Sequence, residues 1–145
     1  MSLYPEKNKK TFFPDAAVSD KFLLGKAGSD QNHVAVIAAQ TDIPTCVIED
    51  GTTRSGATVL DVPVKCEPLT GNPELLWCKA RGACVDGEAL LSYGNGQVIG
   101  YAAAASGNYY QVGVVYGDSA TGSATIADAD GVHFAPMVPV AITKP

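Results

Sequence analysis

Apolar residues recur along this chain in short runs, alternating or continuous, each closed by Gly, Pro, Asn or Asp; that period predicts strands, not helices. The clearest stretch covers residues 85–116. Asn95-Gly96 separates an apolar run at 90–93 from another at 97–101. This dipeptide tolerates the positive φ of a type I′ turn, so the two runs are expected to pair as antiparallel neighbours. A third strand follows at 109–116, with Tyr110, Val112, Val114 and Tyr116 on one face and Gln111, Gly113 and Val115 on the other.

Upstream, strands are expected at 22–24, 34–38 and 43–48, separated by a polar turn at 25–32 and a break at Thr41-Asp42. Residues 57–64 read as one alternating strand, with Val59, Asp61 and Pro63 opposite Leu60, Val62 and Val64; Pro63 marks a sheet edge or a strand end. Two local rules conflict at 72–82. Asn72-Pro73-Glu74 followed by Gly82 has the cap, N1 proline and terminal glycine of a short helix, whereas Leu76-Trp77-Cys78-Lys79-Ala80 fits a strand. The surrounding β pattern favours the strand. Two more strands, 123–127 and 133–142, flank the turn Asp128-Ala129-Asp130-Gly131, and Pro136 and Pro139 place the last one at an edge.

The halves echo one another in pattern and spacing: Leu23-Leu24, Val34-Ala35-Val36, the run 43–48, Gly56 and 59–64 are answered by Leu90-Leu91, Val98-Ile99, 110–115, Gly122 and 133–140. A chain of 145 residues is one domain's worth. The expectation is therefore an all-β domain at 21–145, a small antiparallel β-barrel or sandwich in which two related β units are allowed by the echo. Residues 1–20 read as an extended N-terminal arm, because Pro5 and Pro14 forbid a continuous helix and no period is sustained. Leu3, Tyr4, Phe12 and Phe13 make this arm too apolar to leave solvated, so it is expected to dock on its own domain or on a neighbouring protein; with Lys7, Lys9 and Lys10, which give it positive charge, they are the candidate contacts to a partner or a neighbouring subunit.

Charge and chemistry narrow the function. A net charge of -5 with Lys and Arg scattered disfavours nucleic acid as a direct partner. The first twenty residues carry charges and no apolar run of a signal peptide, and no stretch is long enough to span a membrane, so the cysteines are expected to be reduced thiols. Cys46, Cys66, Cys78 and Cys84 lack the short pair spacing of a zinc site; in oxidising surroundings a cross-strand Cys78–Cys84 bridge is open to the chain. His33 and His133 stand apart from any nucleophile signature, so no catalytic residue is assigned. Asp128-Ala129-Asp130-Gly131 lacks the later ligands of a calcium loop, and Gly94-Asn95-Gly96 lacks the helix that would hold a phosphate. Neither metal nor cofactor is expected.

Gly87-Glu88-Ala89-Leu90-Leu91, Gly94-Asn95-Gly96-Gln97-Val98, an Ala-rich piece, Tyr110-Gln111-Val112-Gly113-Val114-Val115, Ser119-Ala120-Thr121-Gly122-Ser123 and a final valine-rich strand together resemble the small bacteriophage capsid decoration, or head-cement, proteins. A looser version stands in Ile43-Pro44-Thr45-Cys46-Val47-Ile48 and Ser55-Gly56-Ala57-Thr58-Val59, so the resemblance covers roughly 22–140. The Cys- and Trp-bearing segment 66–84 and the N-terminal arm depart from the pattern. The resemblance implies a non-enzymatic protein, made in the host cytoplasm, that binds the major capsid protein on the outer surface of the virion as a homotrimer. The rival expectation is a carbohydrate- or protein-binding β module whose contact aromatics would be Trp77, Tyr93, Tyr101 and Tyr109.

Overall fold

The computed structural model describes residues 10–82, 84–116 and 131–145. Strand Lys10–Pro14 (β1) is followed by Leu23–Ala27 (β2), His33–Val36 (β3), Cys46–Ile48 (β4), the hairpin Thr53–Arg54 (β5) and Ala57–Thr58 (β6), and Val64–Pro68 (β7). Leu76–Lys79 (β8), Ala89–Ser92 (β9), Val98–Gly100 (β10), Gly107–Val115 (β11) and Gly131–Lys144 (β12) complete the chain, with one turn of 3-10 helix at Gly94–Gly96. The fold is all-β, as the alternating pattern predicts. Among the described residues no helix is long and apolar enough to cross a membrane.

Strands β1, β3, β2, β4 and β7 close in that order into a barrel. Strands β10, β9, β11, β12 and β8 form a second, five-stranded sheet. Its two edges meet at a parallel bridge between Ala80 and Val98, where the Arg81 N–H donates to the Val98 carbonyl at 2.7 Å, so this unit is a nearly closed barrel. Taken around either barrel, the strand order is the same: first, third, second, fourth and last, with the first and third strands parallel and every other pair antiparallel.

Register makes the equivalence residue-specific. Lys10, Thr11 and Phe12 lie opposite Cys66, Lys65 and Val64, as Leu76, Trp77 and Cys78 lie opposite Phe134, His133 and Val132. Cys46, Val47 and Ile48 face Pro68, Glu67 and Cys66, as Gly113, Val114 and Val115 face Pro136, Ala135 and Phe134. Asp15 N–H donates to the Val34 carbonyl just as Arg81 does to that of Val98. The halves are thus two copies of one topology, although the equivalence by register departs from the sequence echo in two places: Leu24 answers Ala89, not Leu90-Leu91, and Val64 answers Val132, so 59–64 is not the counterpart of 133–140.

Each barrel has its own interior, but they share a core. Val18, Leu23, Val34, Ile48 and Val64 fill the first. The second holds Leu76, Cys78, Val98, Val115, Val132 and Phe134, and the same cluster takes in Leu24, Ile37, Val47 and Leu69 from the outside of the first barrel. The predicted hairpin forms with Leu91 opposite Ile99, and Asn95 and Gly96 have φ of 61° and 76°, the left-handed pair a type I′ turn requires. Gly96 also sits where a Cβ would lie 2.7 Å from Val36 Cγ1 and 2.8 Å from Leu23 Cβ, so only glycine lets the turn press against the first barrel.

Several expectations are corrected. Residues 10–20 are not an arm outside the core: β1 closes the first barrel between β3 and β7, Pro14 is buried, and Val18 is a core residue. Pro14 leaves the strand intact, because it lies beyond the residues that pair with β7. The third strand does not keep one face throughout. Gln111 pairs with Leu91 and Gly113 with Leu90, so Val112 bulges and the side chains beyond it exchange faces. Tyr109, Val112 and Val115 are buried, whereas Val114 and Tyr116 are exposed. Residues 57–64 are not one strand either: Ala57–Thr58 folds back on Thr53–Arg54 through Ser55-Gly56, Leu60 and Val62 are exposed, and Pro63 directly precedes β7. At 72–82 the strand prevails. The Asn72 side chain accepts the Glu74 N–H at 3.0 Å and donates to the Pro68 carbonyl, so the helix-capping chemistry closes a turn. The expected strand 123–127 lies outside the described residues.

Candidate interaction surfaces

The contact residues expected near the N-terminus are split by the structure. Lys10, Phe12 and Phe13 belong to β1; Leu3, Tyr4, Lys7 and Lys9 lie outside the described residues. Phe12 packs against the interior of the first barrel. Phe13 points outward, tilted against the His33 ring with centroids 6.0 Å apart. Strand alternation separates the two rings, so they cannot act as one aromatic patch.

Among the described residues, the mouth of the first barrel beside β1 is open. A cavity of about 300 Å³ enters it, walled by Phe12, Val34, Cys46, Cys66 and Pro68 and rimmed by Lys10, Lys26, Asp30, Gln31 and His33. The rim is internally paired. His33 Nδ1 lies 2.7 Å from Asp30 Oδ1. That hydrogen bond holds the His33 pKa above its ordinary value and the Asp30 carboxyl below its own. Lys26 Nζ lies 3.0 Å from Asp42, and this contact, with the N–H groups of Ala38 and Ala39, depresses the Asp42 pKa. Lower in the cavity, the Cys46 thiol hydrogen-bonded to Cys66 pushes the latter's pKa up, and burial adds to it.

The same hydrogen bond lowers the pKa of Cys46, against the opposing effect of its burial. All four cysteines are free and buried. Burial pushes the Cys84 pKa up to about 11 and raises that of Cys78 as well. Cys78 Sγ points to the Gly96 carbonyl and Cys84 Sγ to that of Gly82, so the open Cys78–Cys84 pairing is not made. His33 and His133 sit on different barrels. Among the described residues no group of three or more His, Cys, Asp or Glu side chains could hold a metal ion.

The second barrel presents an apolar face that the alternation rule concealed. Val114, Tyr116, Val138 and Val140 are exposed on β11, just beyond it and on β12. Gln111 pairs with Val140 and Gly113 with Pro136, so Met137-Val138-Pro139 stand opposite Val112 alone and Val138 is pushed out to 58% exposure. Strand β8 covers only Gly131 to Phe134 of β12; past that point one edge of β12 has no strand partner among the described residues, and Pro136 and Pro139 blunt it. The sequence signal was the odd spacing of these prolines against the valines, which a two-residue period cannot absorb.

The aromatics of the rival reading do not form a platform. Tyr109 is 3% exposed, with its hydroxyl donating to the Ala105 carbonyl, and Tyr93 packs against the same small cluster. Trp77 meets Phe22 edge-on at 5.1 Å, with Lys79 on its ring. Tyr101 alone of the four is exposed, and Lys144 lies 4.9 Å from its centroid. Compared with protein-family models and with curated proteins, the chain matches none.

Proposed function

We propose that this is a non-enzymatic capsid decoration protein: a head cement that binds the major capsid protein on the outer surface of an assembled phage head and stabilises it. The observation that carries the reading is the coincidence of the decoration-like motifs with a complete structural unit. Gly87 to Leu91 lead into β9, Gly94 to Val98 make its turn with β10, Tyr110 to Val115 lie on β11, and the valine-rich end is β12, while Ser119 to Ser123 lie outside the described residues; the looser copy leads into β4 and spans the β5–β6 hairpin of the first barrel. The physical fit is support without chemistry. Two barrels with a shared core form a stiff body, and an exposed apolar face gives it a surface for attachment. Several such contacts made at once would raise avidity through effective concentration.

In this reading the protein is made in the host cytoplasm, acts on the virion as a homotrimer, takes no cofactor, and contacts neither nucleic acid nor membrane directly. The carbohydrate-binding alternative needs aromatics on one open face, and the burial of Tyr109 and Tyr93 away from Tyr101 favours decoration over it. Co-sedimentation tests the proposal: assembled heads should carry the protein down, and free coat subunits should not bind it comparably. Equal affinity for both would refute a role that depends on sites created by neighbouring capsomers.

A further inference from the structure

The two barrels are equivalent strand by strand, yet their surroundings differ, and the difference leaves both a plug and a socket open. On the outside of the first barrel, Leu24, Ile37 and Val47 are buried under the second barrel. Their counterparts by register are Ala89, Tyr101 and Val114: Ile37 N–H donates to Leu24 as Tyr101 N–H donates to Ala89, and Val47 pairs with Leu24 as Val114 pairs with Ala89. Each counterpart is apolar or aromatic. Ile37 is 0% and Val47 1% exposed, whereas Tyr101 is 38% and Val114 39% exposed.

The surface that receives the first barrel is the mouth of the second. Asn95 N–H donates to the Ala38 carbonyl, the Ser92 hydroxyl donates to that of Gln40, and Gly96 abuts Leu23 and Val36. By register Ser92 corresponds to Ala27, and the turn at 93–97 to the one-residue-longer turn at 28–33 that carries Gln31. Ala27 and Gln31 line the open cavity of about 300 Å³. The cavity is therefore the first barrel's version of a mouth that, in the second, is already filled.

We propose that a second copy of this chain fills it: the Tyr101 and Val114 face of one copy docks over the Ala27, Gln31 and His33 mouth of the next, repeating the contact made between barrels within a chain. The socket has the anatomy of an interface between separately folded partners, with Phe12, Val34 and Pro68 inside and a polar rim outside. The contact joins unlike surfaces, so copies add head to tail and close into a ring if the rotation between barrels allows it. This rests on the barrel geometry alone; it would give the oligomer of the capsid reading its surfaces, and it is tested without capsids.

The experiment is analytical ultracentrifugation of the purified full chain with two surface variants, Val114→Glu for the plug and Ala27→Glu for the socket. Both positions are exposed, and unchanged thermal unfolding and circular dichroism establish that each variant is folded. Wild type should self-associate, and each variant alone should associate on the order of tenfold more weakly or less. Mixed, the variants should form a one-to-one pair, because each retains the half the other lacks. A wild-type monomer at the highest soluble concentration would overturn the proposal, as would two folded variants that still associate like wild type, or a mixture that does not pair. Self-association without capsid binding would leave this interface standing and remove the decoration role.

Discussion

Replacing Gly96 by alanine should destabilise the protein more than the same change at any other positive-φ glycine that faces open space, and the difference measures how tightly the barrels are pressed together. Gly96 has φ of 76°, and Gly56, at the tip of the β5–β6 hairpin, has φ of 82°. The backbone cost is thus shared: a left-handed alanine costs roughly 1–2 kcal/mol, offset in part by about 0.4–1 kcal/mol from the stiffer unfolded chain, leaving about 1 kcal/mol at either site. What is not shared is space. A Cβ at Gly56 meets nothing within 4 Å, whereas one at Gly96 stands 2.7 Å from Val36 Cγ1 and 2.8 Å from Leu23 Cβ. The second of these is fixed to the backbone and cannot swing away, so overpacking adds about 1–3 kcal/mol. Equilibrium urea unfolding should therefore give about 1 kcal/mol for Gly56→Ala and about 2–4 kcal/mol for Gly96→Ala. Equal losses at the two sites would refute the inference that this turn is an inter-barrel contact.

Three other outcomes follow from the same geometry. Val47→Ala, inside the shared core, should cost about 2 kcal/mol by urea unfolding, and Val114→Ala, at the equivalent exposed position, should stay within about 0.5 kcal/mol in the monomer; a reversed order would break the equivalence. Removing residues 1–9 should leave circular dichroism and cooperative unfolding intact, whereas removing 1–14 takes away the strand that closes the first barrel and should abolish cooperative unfolding. The Asp30–His33 pair should place the His33 pKa above 6.5 in an NMR titration, and Asp30→Asn should bring it back toward that value. Linkage gives the sign: the His33 contribution is fully present below 6.5 and is lost as pH rises through the raised pKa, while that of Asp30 is present above 3.8 and is lost as pH falls through the depressed one.

The strand-rich fold and the hairpin at Asn95-Gly96 were legible because each depends on neighbours in sequence: a two-residue period, or one dipeptide that accepts positive φ. The echo between halves was legible for the same reason but only in part: by register Val34 answers Val98 and 46–48 answers 113–115, whereas Leu24 answers Ala89 rather than Leu90-Leu91 and Val64 answers Val132 rather than any residue of 133–140. Illegible were features set by non-local pairing. Nothing within 109–116 announces that Val112 bulges; the bulge exists because β9 and β12 bracket β11 with different registers, and it alone decides that Val114 faces out. The membership of β1 in the barrel was hidden likewise. Its residues pair with β3 and β7, far along the chain, and Pro14 looks like a breaker until its place at the strand end is seen. Of the candidate contacts, Phe12 packs on its own domain, one of the two homes the sequence left open, because an apolar residue near a terminus carries no local mark of which surface it covers.

Divergence between the halves follows what each mouth has to face. Where the first barrel has Lys10 opposite Cys66, the second has Leu76 opposite Phe134; where the first has Thr11 opposite Lys65, the second has Trp77 opposite His133. Lys26, paired with Asp42, corresponds to Leu91, which is buried on the second barrel's own outer face with Ile99, Ala104 and Tyr109 rather than under the first barrel. A mouth that another barrel always covers cannot keep an amine, because burying an unpaired charge costs several kcal/mol; a mouth that is wet until a partner arrives needs charge to stay soluble. The outward face of the second barrel has gone the other way. It keeps valine at 114, where solvent alone would favour a polar residue, and it extends β12 past β8 behind two prolines that deter indiscriminate strand pairing. An apolar face retained beside a blunted edge fits one specific partner better than general stickiness, and the docked pair of barrels within the chain shows the form that partner's surface would take.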